Sequence, residues 1–163
     1  MEYLLLSKQM PERIQLVWRR TIILTSSLLV LIALLVSGGL FFFYGWNKYV
    51  LLGVFTIISI IAIWTIVNIK LVPYRYSFRR YEITSADLAF QKGYFFRQTT
   101  IVPINRIQHV TTEQGPFLRK ENLMEIIVHT AATSHRIAGL DIEEAQSLRE
   151  HIVALVKVAK EDV

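Results

Sequence analysis

The chain contains no cysteine, which excludes disulfides, zinc–thiolate sites and cysteine nucleophiles and fits a reducing compartment. It also lacks charge over two long stretches. None of the 27 residues between Arg20 and Lys48 is charged, and none of the 21 between Lys48 and Lys70. Spanning a hydrocarbon core of ~30 Å takes roughly 20 apolar residues in a helix, so a purely soluble protein is ruled out. Catalytic signatures are missing too. There is no HExxH, no P-loop combination of glycines with Lys-Ser/Thr, and no nucleophile elbow around Ser7, Ser77, Ser85, Ser134 or Ser147. No catalytic residue, metal ligand set or cofactor site is therefore nominated, and the expectation is a non-enzyme.

The net charge of +5 changes meaning once divided along the chain. Residues 1–20 carry four basic and two acidic groups, residues 21–73 add Lys48 and Lys70, and residues 74–163 hold 12 basic against 11 acidic groups. Basicity gathers beside the uncharged stretches, which reads as membrane-flanking charge and argues against a nucleic-acid partner.

The first span is expected over 21–44 and the second over 49–69, with the linker Gly45-Trp46-Asn47-Lys48 short enough to force an antiparallel hairpin. A cleaved signal peptide ending near Val36-Ser37-Gly38 fits less well, because its apolar region would be shorter and a second span follows at once. Lys8, Arg13, Arg19, Arg20, Lys70, Arg75, Arg79 and Arg80 lie on the side of both termini, against Lys48 alone at the hairpin tip. That asymmetry predicts cytoplasmic termini. Trp18, Tyr74 and Tyr76 would mark one interface, and Tyr44, Trp46 and Tyr49 the other. Two readings fit residues 1–20: an interfacial segment that dips Leu4, Leu5 and Leu6 into the headgroups, or a frayed tail.

From Tyr74 onward a run of strands followed by one helix predicts an α+β module in residues 74–163. Strands are expected at 74–83, 87–92, 94–102, 106–113, 124–130 and 134–138, with a polar turn at Thr84-Ser85-Ala86 and a hairpin at Lys92-Gly93. In the first strand Tyr76 and Phe78 share a parity that Tyr81 and Ile83 break, which predicts a bulge near Arg79 or Arg80. Asp141 and Glu144 have capping-box spacing, and Ile142, Ala145, Leu148, Ile152, Leu155, Val156 and Ala159 form the apolar stripe of a closing helix. His129 and His135 could face each other across a hairpin, but no third ligand has a fixed spacing, so surface or hydrogen-bonded histidines are favoured over a metal site. Gln114-Gly115-Pro116 reads as a turn.

Arg106-Ile107-Gln108-His109-Val110, Gln114-Gly115-Pro116, Arg119, Leu123, Thr130-Ala131-Ala132, Gly139-Leu140 and Glu144-Ala145 together resemble the bacterial pleckstrin-homology-like membrane-flanking domain family, in its YdbS-like group. The resemblance covers nearly the whole chain. It implies a two-helix transmembrane hairpin followed by a bent antiparallel β-sheet or barrel capped by a C-terminal α-helix, at the cytoplasmic face of the bacterial inner membrane. It implies no established enzymatic activity, and a hetero-oligomer with a larger related membrane protein that carries several similar domains. The motif residues Arg106, Gln108, His109, Gln114, Gly115, Pro116 and Arg119 would then be structural or partner-binding. Two features depart from phosphoinositide-binding relatives: the Thr84-Ser85-Ala86 turn has no basic residue, and the closing helix has no Trp.

The residues thus favour a membrane-anchored interaction or scaffold protein. The alternatives are an anionic-lipid-sensing module and, less favoured because neither span carries an ionisable side chain, a transporter or channel accessory subunit. Arg75, Arg79, Arg80, Lys92 and Arg97 are the candidates for membrane-surface or lipid contact. As charge spread over a surface, they predict non-specific, salt-sensitive attraction to anionic lipid. As ordinary flanking charge, they would have no orienting role.

Overall fold

The computed structural model describes residues 5–45, 47–93 and 96–161, and the side chains of Tyr44, Arg97, Lys160 and Glu161 are outside the description. The chain divides into two compact units, Trp18–Val72 and the remainder on either side of it.

The first unit is a pair of apolar helices. Helix α1 runs Ile14–Tyr44 and α2 runs Lys48–Ser77, each long and apolar enough to cross a membrane. Asn47 starts α2, its Oδ1 accepting the Tyr49 amide at 3.0 Å. The helices return antiparallel. Near one end the Thr65 hydroxyl donates to Ser26 Oγ at 2.7 Å, and Leu40 and Val50 line a shared apolar groove near the other. Most of the remaining surface is exposed aliphatic and aromatic side chain, including Leu24, Leu35, Phe42 and Phe55. A helix that is apolar all round is stable only inside a large core or in lipid. Of the expected interfacial aromatics, Trp46 and the Tyr44 side chain lie outside the described residues.

The second unit is α+β. A four-stranded antiparallel sheet has the order β1 (Lys8–Gln9), β2 (Arg80–Ile83), β3 (Asp87–Gly93) and β4 (Arg97–Pro103). A 3-10 turn at Ile104–Arg106 leads to a three-stranded antiparallel sheet of β5 (Ile107–Glu113), β6 (Leu123–Thr130) and β7 (Ser134–Asp141). The short helix α3 (Pro116–Lys120) joins β5 to β6, and α4 (Ile142–Glu161) closes the unit. The core is made of Leu88, Ile104, Ile107, Leu123, Ile126, Val128, Ile137 and Leu140, with Ala145, Leu148 and Ile152 from the apolar stripe of α4. Each such aliphatic side chain contributes roughly 1.5–3 kcal/mol when fully buried.

Several expectations change here. The strand expected over 74–83 begins only at Arg80, because α2 continues through Ser77 with Pro73 inside it. The parity break is therefore the change from helix to strand, and no bulge exists at Arg79 or Arg80. The register shifts lie elsewhere, between Ile107 and His109 on β5 and opposite Met124 and Ile126, where β7 has an extra residue. Gly139 sits in that second irregularity with φ +77°, a conformation suited to glycine. The beginning of the expected strand at 94–102 falls on Tyr94 and Phe95, outside the described residues.

Over its described length the N-terminal segment is not a frayed tail but part of the second unit. Strand β1 pairs with β2, Leu6 donates its amide to Gln91 Oε1 at 3.2 Å, and Tyr76 donates to the Met10 carbonyl at 2.7 Å. Met10, Ile14 and Val17 are buried, and Arg13 ion-pairs with Asp141. Leu4 lies outside the described residues. The capping-box pair is also used differently: Asp141 takes Arg13, and Glu144 accepts the Tyr81 hydroxyl at 2.8 Å.

Candidate functional site: a basic cleft between the two sheets

The β2–β3 hairpin turns at Thr84-Ser85-Ala86, where the Thr84 amide donates to the Asp87 carbonyl at 2.9 Å and Thr84 Oγ1 accepts the Asp87 amide at 3.0 Å. The turn fixes the register, so Arg80 lies opposite Gln91, beside Lys92. Across from this sheet, the Thr130–Thr133 turn sets up β7, whose first residues are Ser134, His135 and Arg136. The His135 ring stacks on Phe90 at 5.3 Å between centroids, bringing the two sheets together on this side.

Between them opens a cleft of about 330 Å³. Its walls include Arg79, Arg80, Lys92 and Arg136, with the hydroxyls of Thr100 and Ser134, and no carboxylate among the described residues. Gln91 is buried at its floor, where it holds the Leu6 amide. Arg80 Nη1 donates to the Leu6 carbonyl at 3.2 Å, whereas Arg80 Nε is buried without an acceptor. Glu125 on β6 supplies a balancing charge 3.4 Å from Arg136. Burial raises the Glu125 pKa, with Glu113 acting in the same direction and Arg136 and Arg79 opposing. Arg79 is exposed as a residue, yet loss of solvation pulls its guanidinium below the ordinary value, as does the like charge of Arg75, while Glu125 opposes.

Three of the five cations proposed for membrane-surface contact thus meet in one place. Arg75 is in the last turn of α2 and outside the cleft lining, and the Arg97 side chain is outside the description. Sequence reasoning missed Arg136 and the two hydroxyls, which belong to strands far from Arg80 in the chain.

The family-motif residues do not form a second site. Gly115 precedes α3 and Pro116 is at its start, with the Arg119 amide donating to the Gly115 carbonyl at 2.9 Å. Gln114 Nε2 donates to the Leu123 carbonyl at 3.0 Å and so ties α3 to β6. Gln108 marks the β5 irregularity, and His109 stacks on His129 with 4.2 Å between ring centroids. Arg106 and Arg119 are exposed. His129 and His135 do not face each other: His129 pairs with Ser134 and His135 with Val128, so the two rings leave opposite faces of the sheet. Among the described residues, no three His, Cys, Asp or Glu side chains are grouped to hold a metal ion.

The family profile described as bacterial PH domain matches residues 21–156. The chain is 37% identical over 149 residues to the transmembrane protein YdbS of Bacillus subtilis (strain 168), covering 90% of this chain and 91% of that protein. No solved structure matches.

Proposed function

The chain belongs to the bacterial PH-domain family and is a membrane protein, and from that premise we propose that it is a non-enzymatic anchor that presents its PH module at the cytoplasmic face for assembly with another membrane protein. Both spans cross the membrane in this reading, and only the Gly45–Lys48 tip is outside. The basic residues flanking the spans support the orientation, because Lys48 alone is at the tip.

The observation that carries the assembly role is the edge of the four-stranded sheet. Among the described residues β4 pairs only with β3, and beside its open backbone Phe96 is 91% exposed and Ile101 61% exposed. A sheet edge that carries exposed apolar side chains favours strand addition by another chain. The partner class that fits is a membrane protein with a PH-type module of its own, whose edge strand would extend the sheet. Purification of the tagged chain in mild detergent, followed by native mass measurement, should recover a stoichiometric companion, and Ile101→Asp should release it. Recovery of monomer alone would refute the role.

An anionic-lipid-sensing role is the second reading, favoured by the basic cleft.

A further inference from the structure

We infer that the cleft between the two sheets is a binding site for a phosphoryl group, which deepens the second reading and is independent of the assembly role. Arg80 Nη1 is committed to the Leu6 carbonyl, but Arg80 Nε–H is buried with no acceptor. A buried N–H without a partner is unfavourable, and native structures leave few of them unless a ligand or water completes the bond. Arg80 Nε belongs to a residue that lines the cleft, as do Lys92 and Arg136.

The lining chemistry narrows the ligand. Guanidinium groups present planar forks of donors that match oxyanions, and a lysine adds a compact positive charge. Thr100 and Ser134 add hydroxyl donors. Together these donors exceed what the two oxygens of a carboxylate can accept, whereas a phosphoryl group offers three or four. The volume of about 330 Å³ is at the lower end of the usual range for ligand pockets, so the site takes a headgroup-sized anion. A nucleic-acid base is a poor occupant, because Phe90 and His135 already stack on each other. Glu125 holds Arg136 at 3.4 Å and opposes binding, yet Glu125 is not part of the lining.

A lipid headgroup and a dissolved phosphate share this chemistry. To separate them, the full chain with 15N-labelled arginine is placed in nanodiscs of neutral phosphatidylcholine, and the Arg80 Nε–Hε resonance is followed while inorganic phosphate is added. A parallel sample contains phosphatidic acid instead. A saturable shift on adding phosphate assigns a soluble phosphoryl ligand, and a shift only with phosphatidic acid assigns a lipid headgroup. In the responding arm, Lys92→Gln and Arg136→Gln should each weaken binding by about tenfold, since each removes a charge-assisted contact. Arg75→Gln removes the same charge outside the cleft and should leave affinity within about twofold. Silence of the resonance in both arms overturns the inference. So does an Arg75→Gln loss as large as the other two, which would mean that only surface charge is being sensed.

Discussion

Replacing Gly139 by alanine tests how the N-terminal segment is held to the module. Gly139 is buried on β7 with φ +77°, and a Cβ there would lie 2.8 Å from Ile14 Cβ, 2.6 Å from its Cγ1 and closer still to its Cδ1. Two costs follow. A left-handed backbone costs an alanine about 1 kcal/mol relative to glycine. Forcing a methyl into packed surroundings adds about 1–3 kcal/mol. Ile14 cannot rotate out of the way, because its own Cβ is among the clashing atoms and it is only 1% exposed. The expected loss is therefore about 2–4 kcal/mol, a large part of the ~5–15 kcal/mol that holds a domain together. Pulse proteolysis of the full chain in detergent, over a urea series, would measure it from cleavage within residues 73–161. A double-mutant cycle sharpens the test. Ile14→Ala alone should cost about 2–5 kcal/mol through lost burial. Combined with Gly139→Ala it should cost about 1–2 kcal/mol less than the sum, because the two nearest clashing atoms are gone while the Cβ remains. Strict additivity, or a Gly139→Ala loss below about 0.5 kcal/mol, would refute the close approach of the N-terminal helix turn to β7.

Three further outcomes are expected. Tyr81→Phe removes the 2.8 Å hydrogen bond to Glu144 and should cost about 1–2 kcal/mol at neutral pH, read from the same urea series. Burial and Glu144 push the Tyr81 pKa above its ordinary 10.0, so the unfolded chain sheds this proton first; the stability it provides is complete below pH 10.0 and is lost at higher pH, and Tyr81→Phe should flatten that alkaline loss. Glu125 has the same sign at lower pH: its raised pKa means that its contribution is present below the unfolded carboxylate value and lost as pH rises through the folded one, so Glu125→Gln should hold or raise the urea midpoint at pH 7, and a marked fall there would show that the Arg136 pair outweighs burial. For orientation, Asn47→Cys should react with a membrane-impermeant thiol reagent in intact cells, and Ser134→Cys only after permeabilisation; both positions are exposed, so labelling of Ser134→Cys in intact cells would reverse the proposed topology.

What the sequence made legible was local or repetitive. Two uncharged runs gave the helix pair, alternation gave β3, β5, β6 and β7 to within a few residues, and the stripe through Ala145, Leu148 and Ile152 gave α4 and its buried face. The polar Thr84-Ser85-Ala86 turn was also where expected. The boundary after the second span failed for a physical reason. Tyr74, Tyr76 and Phe78 have strand propensity and follow a proline, yet extending an existing helix adds a hydrogen bond per residue without a new nucleus, and α2 runs through Pro73 to Ser77. The docking of the N-terminal segment did leave a signal, since Met10, Ile14 and Val17 recur at helical spacing and all three are buried.

The cleft divides along the same line. Half of it follows from local pairing: the four residues 84–87 place Ile83 opposite Leu88, which in turn sets Arg80 opposite Gln91 and next to Lys92. Charge that looked spread along the chain is thereby gathered on one hairpin. The other half is tertiary. Ser134 and Arg136 belong to the second sheet, and they reach the first through the stacking of His135 on Phe90 and a β7 strand whose extra residue lies at Gly139. No spacing in the sequence encodes that approach, because it depends on how two separately hydrogen-bonded sheets pack. A collection of five cations therefore reads as a diffuse surface in one dimension, while the folded chain excludes Arg75, recruits Arg136 and leaves one guanidinium N–H buried without an acceptor. Diffuse charge attracts any anionic surface, whereas donors fixed around a cleft discriminate by geometry, since they are satisfied together only by an acceptor that enters it.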